Sequence, residues 1–144
     1  MEIKLLKPKE LTSETQDQLM GLLDQISPGK IPLMTMKLFD QQNPLTLVYC
    51  LLEGQVVGMA SMCTYKVHSG YKGWIEDVVV DHRARGRGIG RKLMEKLIEV
   101  SREKGLSRLL LFTEDHRKAA VHLYKDLGFQ FKDSQIYQIR MDQQ

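Results

Sequence analysis

The sequence predicts an α/β (α+β) fold in one domain, and three observations support this. Apolar residues make up 42% of the 144 residues and charged residues 27%, as in globular proteins. Short runs rich in β-branched residues fill the middle of the chain, and a helical period of about 3.6 residues begins at Ile89. A chain of this length buries one core and is too short for two ordinary domains, so residues 1–144 are assigned to a single domain.

The N-terminal part predicts a strand followed by an amphipathic helix. The opening "EIKLL" is strand-like, and "LTSETQDQLMGLLDQIS" carries its leucines at helical spacing. Thr12 or Ser13 suits the N-cap, because a short polar side chain accepts a hydrogen bond from the first free amides of a helix. Pro28 ends this helix.

A second short helix and a hairpin follow. The segment "IPLMTMKLFDQQ" predicts the helix, with Pro32 in its first turn. The segment "PLTLVYCLLEGQVVGMASMCTYKV" predicts two strands that turn at Glu53 and Gly54, because glycine tolerates the positive φ that such turns require.

The next elements predict a crossover. The strand "KGWIEDVVVD" leads into a helix that begins at Ile89 and ends at Gly105. The run "RLLLFT" is almost wholly apolar, which is typical of a strand buried on both sides. Strand, helix and strand in this order predict two parallel neighbours in the sheet.

The last part predicts one more helix and one more strand. "RKAAVHLYKDLGF" is amphipathic and stops at Gly128, and "SQIYQIRM" alternates like a strand. The whole chain thus predicts a mixed, mostly antiparallel sheet of six to seven strands flanked by about four helices. An exposed last strand is also the candidate contact of a homodimer, because unpaired edges invite pairing.

Composition excludes several classes of protein. No apolar run approaches the roughly 20 residues of a membrane helix, and "MEIKLLKPKE" lacks the apolar core of a signal peptide. We therefore expect a cytoplasmic protein without a membrane partner. The net charge of +3 is spread along the chain, so nucleic acid is not an expected partner. Cys50 and Cys63 have the spacing of neither a redox pair nor a zinc site, and no metal is expected.

The segment "VVVDHRARGRGIGRKL" holds the strongest signal. Helix N-termini attract anions, and the glycines at 86, 88 and 90 leave the amides at this helix start accessible. Cations that can pair with phosphate oxygens surround them, namely Arg83, Arg85, Arg87, Arg91 and Lys92. The dinucleotide motif fails because Arg91 stands where its third glycine would be, and a Walker A loop is absent. The pattern predicts a diphosphate site; the alternative is a flexible basic loop.

With its flanks, this segment resembles the GNAT family of N-acetyltransferases. Residues 85–90 reproduce the R-x-x-G-x-G/A signature, and the valine strand before them and "AVHLYKDLGF" after them lie where that family places them. The resemblance implies the GNAT fold, acetyl-coenzyme A as co-substrate, and a cofactor arm between the valine strand and a strand ending in Thr113. Arg117 stands where the family often has asparagine, and it could reach a phosphate instead. The residues implied to bind the cofactor are Val78, Val79, Val80, Arg85, Gly86, Arg87, Gly88, Ile89, Gly90, Arg91, Thr113 and Arg117.

Acetyl transfer requires an amine without its extra proton and a proton for the departing thiolate. Glu76 and Asp77 stand in an otherwise apolar strand, so alternation predicts one on each side of the sheet unless a bulge intervenes. The resemblance implies that Glu76 is the base, usually through water, that Asp77 holds a cationic substrate, and that Tyr124 is the general acid. The alternatives are carboxylates in solvent or paired with Arg83, and a tyrosine that only packs in the core.

The acceptor stays open at this stage. The span from Gly73 to Glu99 is similar to glucosamine-6-phosphate and to polyamine acetyltransferases. The resemblance implies transfer to a primary amine of a small molecule by direct attack in a ternary complex. The alternatives are peptide or protein amines, or a non-catalytic module that senses acyl-coenzyme A. Of the histidines, His116 is the one that a test of catalysis would include, although a surface or core role is more common.

Overall fold

The structure is a computed structural model that describes residues 1–40 and 42–142. It divides into two compact units, Met1–Phe112 and Thr113–Gln144. Each unit is described by itself below, and the assignment of 1–144 to a single domain stays a prediction.

The first unit is built on a five-stranded sheet. Strands β1 to β4 pair antiparallel with their neighbours, and β4 pairs with β5 in parallel, which gives the order β1-β2-β3-β4-β5. This confirms the mixed, mostly antiparallel sheet. The strands are β1 Glu2–Leu5, β2 Leu45–Leu52, β3 Gln55–Val67, β4 Gly70–Val80 and β5 Arg108–Leu110.

Four α-helices are described, as the sequence predicted. Three belong to the first unit and one to the second: α1 Ser13–Ile26, α2 Thr35–Leu38, α3 Ile89–Lys104 and α4 Lys118–Asp126. Two short 3-10 turns, Pro8–Glu10 and His82–Ala84, were not predicted. They join strands to helices.

The helix ends follow the sequence signals closely, with one exception. Thr12 caps α1, and its hydroxyl oxygen accepts the Thr15 amide at 3.1 Å. Gly105 adopts φ +77° at the end of α3. The second helix, however, is much shorter than predicted and begins after Pro32, because Ile31 and its neighbours are exposed and have no core to pack on. The part of that prediction at Gln41 lies outside the described residues.

The predicted hairpin between β2 and β3 is confirmed. Both turn residues adopt the left-handed region, with φ +52° at Glu53 and φ +79° at Gly54. Two consecutive residues of this kind match the right-handed twist of the flanking strands, so the sequence signal had a direct physical cause.

Helix α3 packs directly on the sheet at Gly58 of β3. A Cβ at this glycine would lie 3.0 Å from Ile89 Cγ2 and 3.1 Å from Leu93 Cδ1. Ile89 and Leu93 are fully buried, together with Met94 and Leu97. The absence of a side chain at Gly58 therefore lets the first turn of α3 approach the backbone of the sheet, which fixes where that helix begins.

Two strand predictions are wrong in part. The run "RLLLFT" yields only the three residues of β5, which are half-buried or exposed instead of buried on both sides. The segment "SQIYQIRM" forms no strand; its Ile136, Tyr137 and Ile139 are exposed. An alternating pattern satisfies one requirement of a strand, but a strand also needs a partner edge for its backbone hydrogen bonds. The described sheet thus has five strands, not six or seven.

Candidate active site

Strand β4 carries a β-bulge at the predicted acidic pair. In the register with β3, Met59 pairs with Val79 and Ser61 pairs with Glu76. Two residues of β4, Asp77 and the valine after it, therefore stand opposite one residue of β3. Asp77 adopts φ +53°, a left-handed conformation that is uncommon outside glycine. The sequence named a bulge as the exception to simple alternation, and the structure has one.

The bulge ends a face of the sheet that bears Glu76. Met62 of β3 faces α3, because its sulfur lies 3.1 Å from the Ser101 hydroxyl oxygen. Its neighbour Ser61 therefore faces the other side, and so does the cross-strand partner Glu76. Trp74, two positions earlier in β4, shares that side. An acid and an aromatic ring thus lie next to each other on the face away from α3.

Both acids of the bulge have raised pKa values. Partial loss of hydration is the main cause of the raised pKa of Glu76 and is the cause of the raised pKa of Asp77. The negative charge of Asp77 raises the pKa of Glu76 further, while a hydrogen bond from Trp74 acts in the opposite direction. The direction suits a general base, because a higher pKa makes a carboxylate a better proton acceptor.

The alternative in which these acids pair with Arg83 is not what the described contacts show. Arg83 Nη2 lies 3.1 Å from Asp81 Oδ2 instead. Glu76 and Asp77 are exposed side chains. Because they are exposed beside an aromatic ring, a small acceptor molecule can reach them.

Beyond Trp74 the outer edge of β4 separates from β5. The parallel register covers only Lys72 to Trp74 of β4. The Asp81 amide donates to the Val57 carbonyl at 2.8 Å on the β3 side, so the backbone groups of Val80 point to the opposite edge. There the Val80 carbonyl accepts a hydrogen bond from Arg85 Nε at 3.3 Å. Next to the valines this edge of β4 therefore pairs with no other strand among the described residues, and Arg85 is its recorded contact.

The glycine loop at the start of α3 contains two glycines in the left-handed region. Gly86 has φ +79° and Gly88 has φ +76°. A Cβ at either position would have no atom within 4 Å, so backbone conformation and not crowding favours glycine here. Gly88 is the N-cap of α3, and no side chain caps the helix. The first turn of α3 therefore presents its amides to an anion.

The predicted cations divide into two groups. Arg85 and Arg87 are exposed beside the glycines, and Arg85 Nε donates to the Val80 carbonyl at 3.3 Å. Arg83 is paired with Asp81, and its role as a phosphate-binding cation stays a prediction. Arg91 is half-buried in the first turn of α3.

The second unit holds the candidate general acid. Tyr124 is buried on α4, and its ring meets Phe129 edge-on with 6.0 Å between centroids. Burial raises the pKa of Tyr124, and the positive charge of Arg117 acts in the opposite direction. A raised pKa keeps the phenol protonated, as a general acid requires. Core packing alone would also explain the burial, so this role stays a prediction.

Three other predicted residues also lie in the second unit, and one of them, Arg117, is the N-cap of α4. Thr113 was placed in a strand, but β5 ends at Leu110. The Thr113 hydroxyl is nonetheless buried and has no hydrogen-bond partner among the described residues, which is unusual for a polar atom. His116 is exposed, and its Nδ1 lies 3.2 Å from Glu114 Oε2. His116 therefore lies on the surface next to an acid, and a part in catalysis stays untested.

Sequence reasoning missed two features of the site in the first unit. Phe112 stacks obliquely on Trp74, with 6.1 Å between ring centroids, and is exposed. Asp81 is a buried carboxylate between β4 and the glycine loop, and Arg83 lowers its pKa to about 2. The sequence offered a signal for Asp81 only, since an aspartate directly after a strand often organises a turn.

Comparison with known proteins gives the family. A family model described as "Acetyltransferase (GNAT) family" matches residues 13–129, which is most of the chain. The chain belongs to the GNAT acetyltransferase family. It is an N-acetyltransferase, and members of this family use acetyl-coenzyme A as co-substrate.

Two curated relatives and one solved structure illustrate the likeness. The chain is 32% identical over 142 residues to the glucosamine 6-phosphate N-acetyltransferase of Trypanosoma brucei brucei, covering 94% of this chain and 93% of the relative. It is 42% identical over 67 residues to the thialysine N-epsilon-acetyltransferase of Bos taurus, covering 46% of this chain and only 39% of the relative. A crystal structure of an aminoglycoside acetyltransferase from a soil metagenome has a TM-score of 0.83 at 20% identity, covering 99% of this chain and 96% of that one. This last likeness concerns the fold alone.

Two further observations concern the described residues only. None of their helices is both long and apolar enough to cross a membrane. Nor do they contain a group of three or more histidine, cysteine, aspartate or glutamate side chains arranged for a metal ion.

Proposed function

We propose that this GNAT acetyltransferase transfers the acetyl group of acetyl-coenzyme A to a primary amine of a small molecule, by direct attack in a ternary complex. The observation that carries the proposal is the course of β4. One strand bears an acid with a raised pKa at its bulge, continues into valines whose outer edge pairs with no described strand, and then leads through a turn to the glycine loop.

The glycine loop and the valine edge suit the two ends of the co-substrate. The diphosphate of coenzyme A is an anion, and the uncapped first turn of α3 with Arg85 and Arg87 suits it. The pantetheine arm contains amide groups, and the outward backbone of Val78 and Val80 suits these in the manner of a strand. The Thr113 hydroxyl, which is buried and has no hydrogen-bond partner in the described part of the chain, is a further group that a ligand could satisfy.

Glu76 and Tyr124 take the two proton-transfer roles in this proposal. Glu76 accepts a proton from the ammonium group, directly or through water, and the free amine attacks the thioester carbonyl. The carbon–sulfur bond then breaks, and the departing thiolate takes a proton from Tyr124. Each role agrees with the direction of the pKa: the carboxylate is made more basic, and the phenol is kept protonated.

The face around Glu76 favours a cationic amine as the acceptor. Glu76 and Asp77 supply negative charge, and Trp74 with Phe112 supplies aromatic surface on which a cation or an aliphatic chain can pack. The relatives act on a phosphorylated amino sugar and on thialysine by their names. Both compounds are small and carry a primary amine, so they support the small-molecule class without deciding between its members.

A panel of amines tests the function. Release of free thiol from acetyl-coenzyme A is measured with amino-sugar phosphates, thialysine and other diamines, polyamines, aminoglycosides, and short peptides. We expect at least one small amine to be acetylated with a kcat/KM at least ~10-fold above that of every peptide. A smaller difference would contradict the proposal that the acceptor is a small molecule. Binding of coenzyme A without turnover of any amine would favour the acyl-coenzyme A sensor instead.

A further inference from the structure

Asp81 lies at the point where β4 turns into the glycine loop. Its carboxylate is buried, and its Oδ1 accepts the Arg83 amide at 2.9 Å and Arg83 Nε at 3.3 Å. Its Oδ2 accepts Arg83 Nη2 at 3.1 Å. Its carbonyl accepts the Ala84 amide at 2.8 Å. One residue thus closes the 3-10 turn His82–Ala84 through both its side chain and its backbone.

The same turn is held from a second side by α1. Gln25 Oε1 accepts the His82 amide at 3.2 Å and lies 3.4 Å from His82 Nδ1. The Asp81 amide is itself fixed to the Val57 carbonyl of β3. The turn is therefore tied to the sheet and to a helix before the chain enters the glycine loop at Gly86.

We propose that Asp81 is a positioning residue for coenzyme A: through the Asp81–Arg83 ion pair and the turn it closes, it fixes the path of the chain into the glycine loop. This inference rests on the proposed function, because it takes the loop to be the diphosphate site. Asp81 touches no ligand in this role. Arg83 likewise acts through Asp81, and the phosphate contacts fall to Arg85, Arg87 and the amides of the loop.

Removal of Asp81 should change the Kd for coenzyme A in the direction opposite to the one expected from charge alone. A negative charge near the diphosphate repels it, so removing Asp81 would tighten coenzyme A binding if charge alone mattered. If Asp81 holds the loop, its removal weakens binding, because the free protein must then order the loop when the ligand arrives. The measured direction separates the two.

Calorimetric titration with coenzyme A tests this on two variants, one of which removes more of the contacts of Asp81 than the other. Asp81→Ala removes the turn and the ion pair, and we expect a Kd about tenfold higher. Asp81→Asn keeps an oxygen for the Arg83 amide and loses only the ion pair, and we expect about a threefold rise, on the scale of a lost cap or charge-assisted hydrogen bond. If Asp81→Ala lacks a cooperative thermal transition, Asp81→Asn alone decides. Unchanged or tighter binding by a folded variant overturns the inference.

Glu99→Gln is the matched control for charge. Glu99 pairs with Lys96 on the exposed side of α3 at 2.9 Å, so this variant also removes one negative charge but leaves the turn intact. We expect its Kd to stay within about twofold of the wild type. A Kd that rises as much as in Asp81→Asn would assign the effect to general destabilisation, because loss of a negative charge alone should tighten the binding of an anion, and it would also overturn the inference.

A double-mutant cycle tests the role of Arg83. If Arg83 acts only through Asp81, Arg83→Gln adds little to the loss already caused by Asp81→Ala. Additive losses would mean that Arg83 contacts the phosphates itself and would contradict the assignment. In steady-state kinetics, the KM for acetyl-coenzyme A should rise in Asp81→Ala while kcat and the KM for the amine stay within about twofold. Absence of coenzyme A binding by the wild type would instead refute the proposed function.

Discussion

Glu76 and Asp77 are consecutive residues at a β-bulge, and the charge of Asp77 raises the pKa of Glu76. The relationship predicts a pH dependence. Asp77→Asn removes the charge, and asparagine tolerates the left-handed φ at this position, so the fold should persist. The pKa of Glu76 should then fall, and the acidic limb of kcat/KM against pH should move to lower pH. Activity profiles between pH 4 and pH 9 measure it.

Glu76→Gln is the companion variant. It removes the group to which the acidic limb is assigned, so that limb should disappear and kcat should fall by about 10²-fold, the usual contribution of a general base. Coenzyme A affinity should stay unchanged, because Glu76 lies on the face of the sheet away from α3. An acidic limb that survives in Glu76→Gln belongs to another group, and the base role would then return to water.

Tyr124→Phe tests the general acid. Phenylalanine keeps the ring that packs against Phe129, so stability should change little. Loss of the hydroxyl should lower kcat by about 10²-fold and leave the Kd for coenzyme A within about twofold. Since burial raises the pKa of the phenol, the wild type should keep this acid protonated through neutral pH and lose activity only at strongly basic pH. A variant with normal turnover would identify Tyr124 as a core residue.

The sequence predicted features that depend on local conformation. The turn at Glu53 and Gly54 and the cap at Thr12 follow from residues that favour these conformations by themselves. At Gly86 and Gly88 the sequence indicated only accessible amides, and the structure adds that both adopt a positive φ. Such features need no knowledge of the neighbouring elements.

Features that depend on a partner were harder to predict. The bulge at Asp77 was foreseen only as an exception, because it is set by the register of β3 and not by β4 alone. The partner of Arg83 was not foreseen, since the sequence offered pairing with the strand acids only as an alternative and did not single out Asp81, two residues away. The last strand failed for the same reason: alternation in "SQIYQIRM" says nothing about which edge would receive it.

The low pKa of Asp81 predicts a loss of stability in acid. Arg83 lowers this pKa from 3.8 to about 2 in the folded protein. A depressed pKa stabilises the fold above the ordinary value, and this contribution is lost as pH falls from about 4 to about 2. Because Arg83 is largely exposed, we expect on the order of 1 kcal/mol. The free energies of unfolding in urea of the wild type and Asp81→Asn should differ by this amount at pH 7 and converge near pH 2. A difference that persists in acid would mean that the turn, and not the ion pair, is responsible for it.

Gly88→Asp tests whether the loop binds the diphosphate, and Gly29→Asp is its control. Both glycines have nearly the same φ, +76° and +77°, and a Cβ at either would have no atom within 4 Å, so the two substitutions carry similar backbone strain. Only Gly88 lies at the N-terminus of α3. If that terminus binds the anion, a carboxylate at position 88 competes for the amides and repels the ligand, and calorimetry should give a Kd for coenzyme A at least ~10-fold higher. Gly29→Asp should bind like the wild type, and equal affinities in both variants would place the diphosphate elsewhere.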